Sequence, residues 1–201
     1  MPDFSNIASH MFKDCTSLTT VPTFLSDGTL NNINFSGRTG IVFLNHAFNG
    51  CTSLTGTVTV TAISPTDNDG NIAPNDSAFR FMFQKCTGIT SVVFNTNIKC
   101  YRGYGNTFMG CTNLERVEIN GPELELSTNE FYSTFNGCSK LNYVKFMRTG
   151  SNFGSGYTDN WLNGVAASGT YVMNGDATYD TSTRGASTVP EGWTIETALN
   201  S

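Results

Sequence analysis

The sequence predicts an α/β repeat solenoid, a right-handed coil of stacked repeats with a parallel β-sheet on one side and short helical turns on the other. Two observations carry this expectation. A Phe-x-x-Cys-[Thr/Ser]-x-[Leu/Ile] pattern recurs five times, and internal repetition at a period of a few tens of residues is the mark of stacked units. After each copy the apolar spacing changes from three to two, the mark of a turn running into a half-buried strand.

The five copies are centred on Phe12, Cys15 and Leu18; Phe48, Cys51 and Leu54; Phe83, Cys86 and Ile89; Phe108, Cys111 and Leu114; and Phe135, Cys138 and Leu141. Spacing by three puts all three side chains of a copy on one face of a short helical turn, so they are expected to form the core. Strands should follow, because Val92 and Phe94, Val117 and Ile119, and Val144 and Phe146 each alternate with polar or outward neighbours. Neither piece buries its apolar face alone, and stacking buries both. In parallel register Glu118 should lie beside Lys145.

The first two strands are less regular. Val21-Pro22 places a residue without an N–H where a ladder donor would sit, and Gly56 inserts one residue ahead of Val58, as a bulge would. The intervals from Cys15 to Cys51 and from Cys51 to Cys86 are about ten residues longer than the later ones, and such extras form surface excursions. They are expected around Asn31–Gly40 and Pro65–Asn75. Residues 1–149 then make a solenoid of about five rungs. Residues 150–201 make a β-rich cap whose strands fall near Gly169–Asn174 and Trp193–Thr197, with Trp161 and Trp193 closing the open end of the core.

Composition narrows the function classes. Charged residues are only 13% of the 201 and the net charge is −5, with Thr, Ser, Asn and Gly filling the deficit. Such a surface suits an extracellular or virion protein. No Lys/Arg cluster exists to neutralise phosphates, so nucleic acid and anionic membranes are not expected partners. No apolar run is long enough for membrane insertion. Met1–Asn6 shows neither the basic nor the apolar region of a secretory signal. The chain as given is therefore expected to be a piece of a larger secreted protein, or to reach its site another way, as on a virus particle.

The chemistry-bearing residues are few. Of six cysteines, five share one repeat position. Rungs of this kind lie too far apart for disulfides, so free buried thiols are expected, while Cys100 lies outside the motif. Zinc is disfavoured because no Cys-x-x-Cys occurs and only two histidines are present. His10 and His46 occupy one repeat slot, which speaks for a positional preference rather than catalysis. Glu123, Glu125 and Glu130 read as a solvated edge, since a spacing of two puts carboxylates side by side and not across a cleft. Asp67 and Asp69 crowd an oxygen-rich loop that makes a weak calcium candidate, but Pro65 fills the first ligand slot and Asp-Gly is an ordinary turn pair. No catalytic group and no cofactor is expected. For binding, Tyr101, Arg102 and Tyr104 form a glycine-rich loop of the composition favoured at hot spots. Arg116, Tyr143 and Lys145 sit at outward strand positions.

The pattern of small residue or Met, Phe, Cys, Leu and then alternating Val and Phe/Ile resembles the BspA-like leucine-rich repeats of bacterial surface proteins. The tail from Asn160 to Ile195 is similar to segments that follow such repeats. The resemblance runs from about Phe4 to Ile195 and implies a leucine-rich-repeat-like coil. It also implies a non-enzymatic recognition or adhesion module that binds a protein or glycan on a cell surface. Fold likeness does not by itself fix function. The alternative is a phage tail-fibre or other receptor-binding virion component, and assembly into a homo-oligomer or larger structure is compatible with either.

Overall fold

The computed structural model describes residues 9–22, 31–34, 44–62, 75–76, 78–96, 100–101, 103–120, 130–146, 156–174 and 184–198. Nine strands are present among them: β1 (Asn32–Asn34), β2 (Gly56–Ala62), β3 (Asn75–Asp76), β4 (Ile89–Thr96), β5 (Cys100–Tyr101), β6 (Arg116–Asn120), β7 (Tyr143–Phe146), β8 (Gly169–Asn174) and β9 (Trp193–Ala198). Seven form one sheet in the order β1-β2-β4-β6-β7-β8-β9, and β3 pairs with β5 apart from it. Every pairing is parallel. Chain order and sheet order coincide within the large sheet, which is the topology of a solenoid.

The register follows the alternation. Val92, Val117 and Val144 are Cα partners in one row, and Phe94, Ile119 and Phe146 in the next. All six are buried. A register shift falls between Gly56 and Thr57: Gly56, with φ +78, pairs with Ile89 and Thr57 with Ser91, so the extra residue is Thr90 on β4 and not, as expected, Gly56 on β2.

The turns are not helical, and no helix occurs among the described residues. Two residues per turn hold left-handed φ, five positions before the cysteine and one before it. They are His10 and Asp14, His46 and Gly50, Phe81 and Lys85, Asn106 and Gly110, and Ser133 and Gly137. Asn160 and Gly164 repeat this with Val165 in the cysteine position. A left-handed residue cannot continue a right-handed helix. Alternate N–H groups consequently leave the turn and bond the next one: Phe48 donates to Met82, Phe83 to Thr107, Phe108 to Thr134 and Phe135 to Trp161, at 2.8–2.9 Å. The remaining N–H groups close local three-residue turns, such as Cys86 to Phe83 at 3.0 Å.

Between sheet and turns lies one apolar core. Phe12, Phe48, Phe83, Phe108 and Phe135 stack in a single file with ring centroids 5.3–5.9 Å apart. A second file, from Phe79 through Tyr104 to Phe131, runs beside it at 5.3 and 5.1 Å. Trp161 touches Phe131, Phe135 and Tyr171. It ends both files where Thr158 and Leu162 are too small to extend them.

Cys51, Leu54, Cys86, Ile89, Cys111, Leu114, Cys138, Leu141, Trp161 and Trp193 are buried. The first copy differs: Phe12 and Leu18 are only partly buried, and Cys15, expected in the core, is exposed. No turn precedes it among the described residues to cover its outer side.

The first expected excursion, Asn31–Gly40, opens instead as strand: Asn32–Asn34 is β1, with Ile33 fully buried, and residues 35–40 lie outside the described residues. Asn31 ties β1 to two other segments: its side-chain oxygen accepts from the Val21 N–H at 2.9 Å, and its amide donates to the Thr55 carbonyl at 3.2 Å. The second expected excursion, Pro65–Asn75, lies outside the described residues except for Asn75 at the start of β3.

Candidate functional site

The strands of the sheet turn every second residue away from the core. On β6 these are Arg116 and Glu118, and on β7 Tyr143 and Lys145. The parallel register sets Arg116 beside Tyr143 and Glu118 beside Lys145. The four side chains meet. The Arg116 guanidinium lies 3.5 Å from the Tyr143 ring centroid, a cation–π stack. Its Nη2 is 2.8 Å and its Nε 3.0 Å from one Glu118 carboxylate oxygen. The Lys145 ammonium reaches the other oxygen at 3.9 Å. Two cations thus share one carboxylate beside an aromatic ring, leaving one positive charge in excess.

Toward β1 the neighbours are uncharged: Thr57 and Ser91 continue the row of Arg116, and Thr59 and Val93 the row of Glu118. Toward β9, Thr170 and Val172 follow, and Glu196 then stands in the row of Glu118 and Lys145. Arg116 keeps 44% of its side chain exposed and Lys145 29%. The cluster is therefore preorganised yet accessible, the combination that lowers the ordering cost of binding.

The other expected binding residues lie elsewhere. Tyr104, expected on a surface loop, is fully buried in the second aromatic file. Its position seven residues before Cys111 is the one Phe79 and Phe131 hold before Cys86 and Cys138. Tyr101 belongs to β5, apart from the large sheet, and Arg102 lies outside the described residues, as do Asp67, Asp69, Glu123 and Glu125. Glu130, expected on a solvated edge, is fully buried.

Tyr132 escaped the sequence reasoning. At 42% exposure it is the exposed large apolar residue among those described. Its repeat position is held elsewhere by Ser9, Asn45, Arg80, Gly105 and Asp159, so an aromatic residue there was a readable departure.

The thiols do more than fill space. Cys51, Cys86, Cys111 and Cys138 each donate to the carbonyl of the preceding turn's phenylalanine, at 2.9–3.0 Å. Burial pushes Cys51 up to about 11, and raises Cys86 and Cys111 further. Such thiols are poor nucleophiles and poor metal ligands. Among the described residues no three His, Cys, Asp or Glu gather to hold a metal, and no helix is long and apolar enough to cross a membrane. A shallow hollow of about 240 Å³ between the last two turns is lined mainly by small side chains, among them Ala166, Ala167, Gly185 and Ala186.

No curated protein and no solved structure matches the chain. The repeat itself does match: residues 76–161, which take in the third to fifth turns with β4, β6 and β7, correspond to six copies of the BspA type leucine rich repeat region.

Proposed function

We propose that this chain is a non-enzymatic recognition module of a bacterial cell surface, binding a protein or glycan ligand on the outward face of its parallel sheet. Repeats of this family are interaction modules, typically surface-associated and without catalytic activity. The observation that carries the reading is the cluster of Arg116, Glu118, Tyr143 and Lys145 in the middle of the outward face. Arginine and tyrosine are the residues most enriched where binding energy concentrates. The excess positive charge on a chain of net charge −5 favours ligands that offer a carboxylate or another anionic group. Residues 150–201 serve as the closing segment, with Trp161 and Trp193 sealing the core.

The test is an array of glycans and surface proteins, followed by titration of any ligand found. Tyr143→Ala and Arg116→Ala should each weaken binding by about 2 kcal/mol or more. Folding stability should fall by no more than about 1 kcal/mol, the value of one exposed cation–π contact. Undiminished binding in both variants would place the ligand on another face.

A further inference from the structure

His10 and His46 hold the same place in consecutive turns, both with left-handed φ (60° and 56°). Their rings stack face to face, 4.5 Å between centroids and 20° from parallel. On its other side His46 stacks on Phe81 at 4.4 Å, and the Arg80 guanidinium lies 4.8 Å from that ring. The Asn49 amide nitrogen is 3.2 Å from His46 Nδ1 and donates to Gln84 Oε1 at 2.8 Å. When His46 Nδ1 accepts from that amide, its ring is the neutral form.

The charged groups around the pair are mostly cationic. The first turn brings Lys13 and Asp14, and the third brings Arg80 and Lys85; the Asp14 side chain lies against Gly50. Burial, then the charges of His10, Lys13 and Arg80, lower the basicity of His46.

We propose that this stack is an acid-sensitive joint: protonation drives the two rings apart and frees the first turn from the second. Two imidazolium rings cannot remain face to face beside Lys13 and Arg80 without strong repulsion. The strain falls on this junction because the next one sets His46 against an uncharged phenylalanine.

The first turn is joined to the second by the N–H groups of His10, Phe12 and Asp14, bonded to the carbonyls of Asn45, Ala47 and Asn49 at 3.0, 2.9 and 2.7 Å, and by the Cys51 thiol on the Phe12 carbonyl at 3.0 Å. Its Phe12 is only partly buried. The sign follows from His46 binding its proton less readily folded than unfolded. Stability from the neutral ring is present above the ordinary histidine value of 6.5 and is lost as pH falls below it toward the depressed value. Release uncovers Phe48, Cys51 and Leu54, which are fully buried when the joint is closed.

The test compares amide hydrogen exchange at about pH 7.5 and about pH 5, corrected for the intrinsic rate. The amides of His10, Phe12 and Asp14 should lose protection severalfold at the lower pH. Those of Phe48 and Gly50, bonded to the third turn, should not. In parallel, 4,4′-dithiodipyridine, which reacts in acid, should reach Cys51 but not Cys86. His10→Asn and His46→Asn place at these sites the residue that Asn106 and Asn160 already supply with φ 57° and 56°. Both variants should abolish the acid response. Equal protection of the first-turn amides at the two pH values in the unsubstituted chain would overturn the proposal, and so would an acid response unchanged in both variants.

Discussion

At the centre of the second to fifth turns a cysteine meets two demands at once, of which Val165 in the sixth turn meets only one. The space is apolar and close-packed, yet it borders the carbonyl of the preceding phenylalanine, and a thiol satisfies both demands. With Cys51 raised to about 11 by burial and Cys86 and Cys111 displaced further upward by the same cause, these groups should resist alkylation near neutral pH. Exposed Cys15 should react at once. Iodoacetamide labelling read by peptide mass should find Cys15 modified first and Cys86, Cys111 and Cys138 only on unfolding. Early modification of Cys111 would contradict the packing described. At this scale the sequence was legible wherever a residue type recurred: Phe, Cys and Leu announced the core. Tyr104 was misjudged because it was weighed as one member of a Gly-rich loop. Aligned seven residues before each cysteine, Phe79, Tyr104 and Phe131 declare a second aromatic file.

Elements were harder to read than residues. Apolar spacing by three suits a helical turn, but it equally suits a chain of separate three-residue turns joined by left-handed residues. The spacing alone does not distinguish them. Gly50, Gly110, Gly137 and Gly164 recur just ahead of the cysteine or its valine substitute, and that periodicity was the available sign of left-handed backbone. Strand register was legible because one buried face leaves only one pairing that keeps valine inside. The tie between Asn31 and Val21 was not, since it depends on a side chain ten residues away. Removing the Asn31 side chain leaves the buried Val21 N–H without its acceptor. Asn31→Ala should therefore cost about 2 kcal/mol, measured as a shift in the urea midpoint at unchanged m-value. A cost below about 0.5 kcal/mol would mean that water replaces the amide.

Over the whole molecule, stability should be graded along the stack, because each turn touches only its neighbours. Phe108 is flanked by Phe83 and Phe135 and is fully buried, whereas Phe12 has Phe48 on one side and is partly exposed. Phe108→Ala and Trp161→Ala should each cost about 3–5 kcal/mol, and Phe12→Ala about 1–2 kcal/mol. Calorimetry on the three variants checks the order, and equal losses would show that the stack unfolds without a weak end. The proposed interaction surface was legible in part. Alternation put Arg116, Tyr143 and Lys145 outside, while their meeting around Glu118 depends on register between strands far apart in sequence.

The one-way hydrogen bonding between turns carries an electrical consequence. The peptide unit that offers its carbonyl to the preceding turn, such as Asn45–His46, is the same unit that sends its N–H to the next. These units point alike from first turn to last, so their dipoles sum along the axis as they do in a helix. The oxygen-bearing pole lies at the first turn, beside Lys13, and the nitrogen-bearing pole at the last, near Glu191. Anything that approaches the solenoid end-on meets opposite fields at its two tips.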